Sequence, residues 1–296
     1  MISFAQNQED VVLFRLTQLV PKGTYIDLGA AHPIFENVTY ALYLEGWRGV
    51  NVEPMSREIE LLRTERPEDE NVQAAVGQSP GTIVLYEAPL ENRGATTSDK
   101  ATVERYQAAG QNFGEFESTV VTLDSILSKY SSGSVHIVKI DVEGLEKEVL
   151  LGANLPQHRP WVLVIEATKP NSQEDSSSEW ESIVLEAGYT YTLFDGLNRF
   201  YVRNDLADVQ KLLNKPANVF DNWKRYQETQ SEEYALSLAE VLAARDIEIR
   251  NTIEYAESNK EAFERAEQEA LRLAEELNEA NLYIAALLES IDRIKA

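Results

Sequence analysis

The sequence contains no cysteine, has few basic residues for its length and lacks a long apolar run. The absence of cysteine excludes disulfides, thiolate zinc sites and a cysteine nucleophile. With 27 Lys and Arg against 50 Asp and Glu, the formal net charge is −23, which argues against binding nucleic acid or anionic lipid through a basic surface. No segment resembles a transmembrane helix, and Met1-Ile2-Ser3-Phe4 does not begin a signal peptide. We therefore expect a cytoplasmic protein that would reach the inner membrane only through a partner.

Two regions with different sequence patterns follow one another, residues 1–226 and residues 227–296. The first alternates short β-rich runs with amphipathic stretches, which is typical of an α/β domain with a mostly parallel sheet. Its predicted strands are Thr24–Leu28, Gly49–Val52, Val72–Val76, Thr82–Tyr86, Val135–Ile140, Trp161–Glu166, Thr190–Phe194 and Arg199–Val202. Its predicted helices are Glu9–Leu19, Asn37–Glu45, Ser56–Arg66, Leu123–Lys129, Gly144–Leu151 and Ser178–Ala187. The tight turn Asp195-Gly196-Leu197-Asn198 predicts that the last two strands form an antiparallel hairpin.

The second region has no proline or glycine and a heptad pattern at its C-terminal end. Apolar residues fill five successive pairs of seam positions, with a at Phe263, Ala270, Leu277, Ile284 and Ile291, and d at Ala266, Leu273, Ala280, Leu287 and Ile294. Upstream the pattern is weaker, because Asn259, Thr252 and Arg245 would occupy d. We predict one long helix from about Ser231 that forms a parallel coiled-coil homo-oligomer, a dimer or a trimer. The alternative is an amphipathic helix that folds onto the first region.

Two strand ends in the first region predict a nucleoside site. The strand in Tyr25-Ile26-Asp27-Leu28-Gly29-Ala30-Ala31 ends in a turn of small residues, and about twenty residues later Val50-Asn51-Val52-Glu53-Pro54 ends a second strand in an acid. A glycine at such a turn allows close approach of the backbone to a ligand, and the acid accepts hydrogen bonds from ribose hydroxyls. Gly29, Ala30 and Glu53 are therefore candidate cofactor-binding residues.

The cofactor predicted by these motifs is S-adenosylmethionine (SAM). The sequence has no G-x-G-x-x-G turn to receive a pyrophosphate, which disfavours an NAD-linked reductase. Asp27, just before the turn, would suit a cation or an amine, as in adenosine carrying an amino-acid tail. Asn37, within Glu36-Asn37-Val38-Thr39, is a candidate contact for that tail, and an ordinary helix cap is the compatible alternative.

Acidic residues at two further strand ends are candidates for the chemistry. Asp141 follows the strand in Val138-Lys139-Ile140, and Glu166 ends the predicted neighbouring strand. Two such carboxylates can hold a divalent metal such as Mg²⁺ or Mn²⁺, or Asp141 can act as a general base. The alternative is structural, with Asp141 bracing its loop and Glu143 capping the next helix.

Three loops near the predicted site carry polar side chains. His32 follows the glycine turn and is a candidate base, although such a histidine more often bonds only within its loop. The loops from Asn92 to Lys100 and from Ala167 to Glu179 are candidates for an acceptor site or a lid, and mere insertions are the alternative.

Five segments together resemble the FkbM-type SAM-dependent methyltransferases, over about residues 1–222. They are Ser3 to Asp10, Asp27 to Ala30, Gly46 to Pro54, Lys139 to Glu146 and Phe194 to Val202. The resemblance implies a class I methyltransferase fold, Rossmann-like, that moves a methyl group from SAM to oxygen, commonly a sugar hydroxyl in polysaccharide or secondary-metabolite pathways.

The same resemblance assigns roles to particular residues. Asp27, Gly29 and Ala30 would line the methionine part of SAM, Glu53 would hold the ribose, and Asp141 would lie where the acceptor meets the methyl group. Related sugar O-methyltransferases hold a divalent metal with acids at these strand ends, which would be Asp141 and Glu166 here. A helical stalk would place the enzyme beside a glycosyltransferase as a chain-end modifier of a surface polysaccharide. The alternative is a non-catalytic scaffold whose coiled coil assembles with a partner.

Overall fold

The structure, a computed structural model, describes residues 1–87, 96–98, 100–108, 110, 113–130, 133–169, 172–258 and 263–295. It divides into two compact units. One comprises Met1 and residues 3–223, and the other comprises Ile2 and residues 224–296. No helix in these described ranges is both long and apolar enough to span a bilayer.

Strands and helices are interspersed along the described chain up to residue 213. The strands are β1 (Ile2–Ser3), β2 (Thr24–Leu28), β3 (Arg48–Val52), β4 (Glu70–Val72), β5 (Ala75–Val76), β6 (Gly81–Glu87), β7 (Gly114–Val121), β8 (Ile137–Ile140), β9 (Val162–Glu166), β10 (Tyr189–Phe194), β11 (Asn198–Arg203) and β12 (Lys224–Arg225). The α-helices are α1 (Glu9–Phe14), α2 (Tyr40–Leu44), α3 (Ser56–Glu65), α4 (Lys100–Ala108), α5 (Leu123–Tyr130), α6 (Glu146–Leu151), α7 (Leu155–His158), α8 (Glu181–Glu186), α9 (Ala207–Leu213), α10 (Tyr226–Ser258) and α11 (Phe263–Lys295).

The main sheet has seven strands in the order β10-β11-β9-β8-β2-β3-β4. Strands β9, β8, β2, β3 and β4 run parallel to their neighbours in that list. Strand β11 lies antiparallel between β9 and β10. An α/β fold with a mixed main sheet is therefore present, and its strand order is consistent with the predicted class I arrangement.

One predicted strand is divided between two sheets, and three described strands, β1, β7 and β12, lie outside all the predicted ranges. The predicted strand Val72–Val76 is wrong as a single element, because β4 pairs with β3 while β5 joins a separate sheet in the order β5-β7-β6. Strand β7 fills the centre of that sheet, antiparallel to β6. Its sequence mixes charged and apolar residues and contains no long apolar run, so the patterns described above do not predict it.

The direction of strand addition reverses at β2, which fixes the location of a ligand site. From β2 the chain adds β3 and β4 on one side, and it later adds β8 and β9 on the other side. In open α/β sheets the crevice at such a reversal, outside the carboxyl ends of the strands, is where ligands bind. Gly29 follows β2 and Asp141 follows β8, so both predicted motifs meet at this crevice.

The central strands are buried on both faces, as crossover helices require. One face carries Ile26 and Leu28 in the larger hydrophobic cluster, and the other carries Tyr25 in a second cluster. Strand β9 alternates in the same way, since Leu163 belongs to the first cluster and Val164 to the second. Continuous apolar sequence in these strands is therefore explained by two-sided burial.

The helical unit contains two long helices, α10 and α11, that pack against each other. The prediction of one continuous helix is wrong, because Ile249 of α10 forms a buried cluster with Ala270 and Leu273 of α11. Lys295 also donates a hydrogen bond to Glu232, so the end of α11 lies beside the start of α10. Asn259, one of the weak seam residues, lies outside the described part of the chain, as does the side chain of Phe263.

Candidate active site

A cavity of about 560 Å³ lies at the crevice between the strand ends. Three of its walls come from residues that follow β2, β3 and β8, and a fourth comes from the end of β9. Among the predicted site residues, those lining it are Gly29, Ala30, His32, Glu53, Asp141 and Glu166. Its size is ordinary for a small-molecule or cofactor site.

Gly29 is required by the close approach of two loops at the floor of the cavity. Its φ of +71° is in the left-handed region, and a Cβ placed on it would lie 1.8 Å from the backbone oxygen of Asp141. Its amide donates to Val52 O at 3.0 Å, which holds the turn against the end of β3. Because no side chain occupies this point, the backbone itself forms the cavity wall.

Glu53 is buried in the cavity wall and holds two backbone segments together. Its carboxylate accepts hydrogen bonds from Ala31 N and from Met55 N, both at 2.9 Å. Burial raises the pKa of Glu53 to about 7. Each carboxylate oxygen retains a further lone pair, so Glu53 has the capacity to accept hydroxyl donors from a ligand in the cavity.

Asp27 and Asn37 are placed behind the cavity wall and do not line it. Asp27 is completely buried and accepts a hydrogen bond from Thr39 Oγ1 at 2.7 Å. Asn37 accepts from Arg66 Nη1 at 3.1 Å and donates to the carbonyl oxygens of Ala30 and His32 at 3.0 and 3.1 Å. Both residues position the loop after β2 from within, so the structure does not bring them to a cofactor directly.

The position of Asp27 follows from the register of the sheet. Lys139, Asp27, Asn51 and Asn71 are Cα partners across β8, β2, β3 and β4. Side chains at one register level point to the same face of a sheet, and these four form a polar row. The buried Arg66 lies beside this row, where it bonds Asp69 Oδ2 at 3.0 Å.

Lys139 is a functional candidate that the sequence analysis missed. Its ammonium group donates to Gly29 O at 2.8 Å and lies 3.4 Å from Asp27 Oδ1 and 3.3 Å from Asp141 Oδ2. The two carboxylates raise the pKa of Lys139 against the opposing effect of burial, so it stays charged. A lysine inside the apolar run Ile137–Ile140 was the available signal, because a buried cation must be paired.

A surplus of carboxyl groups lies around Asp141. Burial and the nearby carboxylates of Asp141 and Glu143 raise the pKa of Glu166 to about 10. Burial raises the pKa of Glu143 well above its ordinary value and that of Glu146 to about 7. Glu146 accepts from Val142 N at 3.1 Å and Gly144 N at 3.2 Å, and therefore serves as the cap of this loop. The interpretation in which Glu143 caps this segment is therefore wrong, because Glu146 has that role.

The predicted metal site at Asp141 and Glu166 is not supported. The described ranges contain no group of three or more His, Asp or Glu side chains arranged to hold a metal ion. Lys139 already places a positive charge 3.3 Å from Asp141 Oδ2. These residues do not fit a metal centre, because the described side chains offer too few ligands and Lys139 already neutralises Asp141.

His32 lines the cavity, but its ring is engaged within its own loop. Nδ1 accepts hydrogen bonds from Ile34 N and Phe35 N, both at 3.1 Å. These amide donors assign the proton of the neutral ring to Nε2. With Nδ1 engaged by two amides and Nε2 protonated, the neutral ring is not arranged to take a proton, so the structure favours Asp141 over His32 as the base.

The remaining walls of the cavity come from segments that are distant in sequence. Gln6 and Leu197 line it, because Asn7 Nδ2 donates to Asp195 O at 2.9 Å and joins the N-terminal segment to the β10–β11 turn. Thr168 and Ser172 contribute from the loop after β9. Of the loop predicted between Asn92 and Lys100, residues 96–98 line the cavity, while 92–95 and 99 lie outside the described residues.

The sequence profile of the family described as Methyltransferase FkbM domain matches residues 27–191, more than half of the chain. The chain belongs to the FkbM methyltransferase family. This confirms the resemblance inferred from the strand-end motifs. The FkbM match contains the end of β2 and the whole of β3, β8 and β9, and therefore all four strand ends of the site. The N-terminal segment, β11 and both long helices lie outside it.

Two solved structures resemble the chain at low identity. A methyltransferase FkbM from Methylobacillus flagellatus KT is 15% identical, with a TM-score of 0.40 over 68% of this chain and 48% of that one. The chain thus spans about half the length of that FkbM protein. Magnesium protoporphyrin IX methyltransferase (ChlM) from Synechocystis PCC 6803, solved with bound SAM, is 12% identical, with a TM-score of 0.32 over 66% of this chain and 77% of that one. No curated protein gives a significant match.

Proposed function

We propose that this FkbM-family protein is a SAM-dependent O-methyltransferase that acts on a hydroxyl of a sugar-containing acceptor. The observation that carries the proposal is the cavity at the strand reversal, which is lined together by the Gly29 turn, Glu53 and Asp141. A glycine cradle beside a buried acid suits adenosine with an amino-acid tail. The residues present therefore fit SAM.

In this proposal the chain's own residues divide the work between cofactor and acceptor. SAM supplies a methyl group on a sulfonium, which is already an activated electrophile. Glu53 would accept hydrogen bonds from the ribose hydroxyls, and the backbone of residues 29–31 would form the wall beside the cofactor. Asp141, whose side chain is 32% exposed, takes the proton from the acceptor hydroxyl, while Lys139 holds Oδ2 in place.

Two physical effects account for the rate in this mechanism. Holding the hydroxyl oxygen in line with the methyl carbon can supply roughly 7–11 kcal/mol of the barrier. Proton removal by a positioned carboxylate contributes about 10²–10⁴-fold. Both effects depend on the short distance between the β2 and β8 loops, which the Gly29 contact enforces.

The test is calorimetric titration with SAM and with NADH, followed by transfer of a labelled methyl group to a panel of glycans. We expect SAM to bind and NADH not to bind, and Asp141→Asn to bind SAM but lose transfer. Glu45→Gln, an exposed acid outside the cavity wall, is the matched control. Absence of SAM binding, or tighter binding of NADH, would contradict the proposal.

The second candidate function is a non-catalytic scaffold that assembles with a partner, such as a glycosyltransferase, through the helical unit. It is favoured by one observation, that both long helices lie outside the family match. It predicts that Asp141→Ala and Glu53→Ala leave the cellular role intact. Mass spectrometry of glycans from a deletion strain separates the two candidates, because only the enzyme accounts for a missing methyl group.

A further inference from the structure

The half of the cavity around β8 and β9 is strongly acidic. Asp141, Glu143 and Glu166 line it, Glu36 lines the cavity from the loop after β2, and we call these four residues the acid patch. Two basic side chains among the described residues also line the cavity, Lys139 and Arg57. Arg57 is paired with Glu58 at 2.6 Å, and Lys139 is shared between Asp27 and Asp141. The acid patch therefore contains more carboxyl groups than the neighbouring cations can balance, and burial together with this surplus raises the pKa values of Glu143 and Glu166.

Glu166 gives this patch a specific requirement for a hydrogen-bond donor. It is 9% exposed, and its Oε2 atom is buried without a hydrogen-bond partner in the described part of the chain. A buried carboxyl oxygen without a donor is costly. Because Glu166 lines the cavity, a ligand bound there can supply the missing donor.

The cofactor does not account for this donor in the proposed binding mode. Glu53 follows β3, whereas Glu166 ends β9, and β8 and β2 lie between those two strands. Three strand spacings of about 4.8 Å separate the two acids by roughly 14 Å. With the ribose at Glu53, the β9 side is left to the acceptor.

We propose that the acceptor is a sugar carrying a protonated amino group, which is bound by Glu143 and Glu166 beside the hydroxyl that is methylated. This inference rests on the proposed function and deepens it. An ammonium group offers three N–H donors and needs only two or three acceptors. A divalent metal needs a larger set of oxygen ligands, and no such group is present among the described residues. A bound ammonium group lowers the raised pKa of both acids and pairs with them as carboxylates, whereas a uronic acid or a sugar phosphate brings a second negative charge to the same place.

The experiment measures binding of three matched probes to the full chain saturated with S-adenosylhomocysteine, in the presence of EDTA. The probes are methyl glucosaminide, its N-acetyl derivative and methyl glucuronide, at about pH 6.5, below the ordinary α-amino pKa of about 7.7–8.0. We expect the amino probe to bind at least about tenfold more tightly than the N-acetyl probe, with the glucuronide weakest. The preference should fall as salt is raised, because charge interactions are screened.

Variants assign the preference to the acid patch. Glu166→Gln and Glu143→Gln should each reduce the ratio of amino to N-acetyl affinity by at least about threefold. Glu45→Gln removes the same unit of charge from an exposed position outside the cavity wall and should leave the ratio unchanged. An equal reduction in all three variants would mean that net charge alone sets the ratio, and would overturn the proposal.

Separate titration with SAM distinguishes failure of this inference from failure of the proposed function. If SAM binds but the amino probe binds no better than the N-acetyl probe, or no probe binds, the inference falls alone. If SAM does not bind, the proposed function falls and the inference falls with it.

Discussion

At the residue scale, Lys139 joins two of the four strand ends that form the site, those of β2 and β8. Its ammonium group contacts Gly29 O, Asp27 and Asp141, which belong to β2 and to the loops after β2 and β8. The residue is 6% exposed, so its charge is compensated almost entirely by these protein atoms. Loss of a buried cation leaves its partners uncompensated, which costs more than the pair itself contributes.

We expect Lys139→Met to lower the free energy of unfolding by about 3–5 kcal/mol, because Asp27 and Asp141 lose their shared cation. Urea unfolding measures the change. Lys211→Met, at a lysine whose side chain is 76% exposed, is the control and should change stability by less than about 1 kcal/mol. The double variant Lys139→Met, Asp27→Asn should recover part of the loss, and an additive effect would contradict the assigned pairing.

Glu53 gives a prediction on cofactor affinity and its pH dependence. Burial raises its pKa to about 7, and hydroxyl donors favour the carboxylate form. SAM affinity should therefore increase as the pH rises from about 6 to about 8, with release of a proton on binding. Glu53→Gln should weaken SAM binding by roughly 10–100-fold and abolish this pH dependence. Calorimetry in buffers of different ionisation enthalpy measures both effects, and an unchanged pH dependence in Glu53→Gln would assign it to another group.

At the element scale, the two long helices satisfy their apolar seams within one chain. Ala235 and Ile249 of α10 and Ala270, Leu273 and Ile291 of α11 are all buried. Ala235 and Ile249 occupy the same heptad position, a, as Ala270 and Ile291, since all four are separated by multiples of seven residues. The upstream heptads that look weak in a parallel pairing thus face the strong heptads of α11.

Substitution at this seam should unfold the helical unit selectively. Ile249→Asp places a charge among Ala270 and Leu273, and it should cost at least about 2–5 kcal/mol through lost burial alone. Ile247→Asp, two residues away and 59% exposed, is the matched control and should leave the unit folded. Circular dichroism of the full chain at increasing temperature measures the loss. Equal melting of the two variants would mean that α10 and α11 do not pack through this seam.

At the scale of the whole molecule, the protein combines a net charge of −23 with buried acids that resist ionisation. Burial raises the pKa of Glu9 to about 8, of Asp10 to about 6 and of Glu146 to about 7. Between the ordinary acid pKa and these raised values, the folded state holds protons that the unfolded state has released. Folding is therefore opposed by rising pH in this window.

We expect the free energy of unfolding to fall as the pH rises from about 5 to about 8, and to fall more slowly up to about 10, the raised pKa of Glu166. The acids with lowered pKa, such as Asp175 and Asp221, do not alter this window, because they are ionised in both states above about pH 5. Urea unfolding at constant ionic strength across this range measures the slope. Maximal stability near pH 8 would contradict the prediction. Glu9→Gln should reduce the slope, since its carboxyl is no longer titrated.

The predicted homo-oligomer would have to form through the outward faces of α10 and α11, because their apolar seam is buried within one chain. Leu236, Leu271 and Leu282 are 68%, 62% and 64% exposed, and burial of such side chains favours association. We expect light scattering to give a mass above 33.4 kDa for the full chain. A chain ending at Tyr226 should be monomeric. If both are monomers, the oligomer prediction fails.

Much of the fold was predictable from local patterns in the sequence. Buried parallel strands require continuous apolar runs, so the prediction for Thr24–Leu28 matches β2 residue for residue. Acids and a glycine at strand ends are equally local signals, and they predicted that Gly29, Glu53 and Asp141 would meet at one crevice. The end of β4 and the start of β5 were not separable, because one apolar run carries no mark of the sheet that each half joins.

The sequence by itself determined the central strands β2, β3, β8 and β9, where they end and which family the chain resembles, because periodicity and turn residues act over a few neighbours. Only the tertiary structure decided where polar side chains point. The register of the neighbouring strands places Asp27 behind the cavity wall and Lys139 next to Asp27. No local pattern in the sequence encodes that register. The helical unit follows the same rule. Its heptads specify a seam, but whether the seam is covered by a second chain or by α10 depends on a reversal of direction that neither proline nor glycine marks.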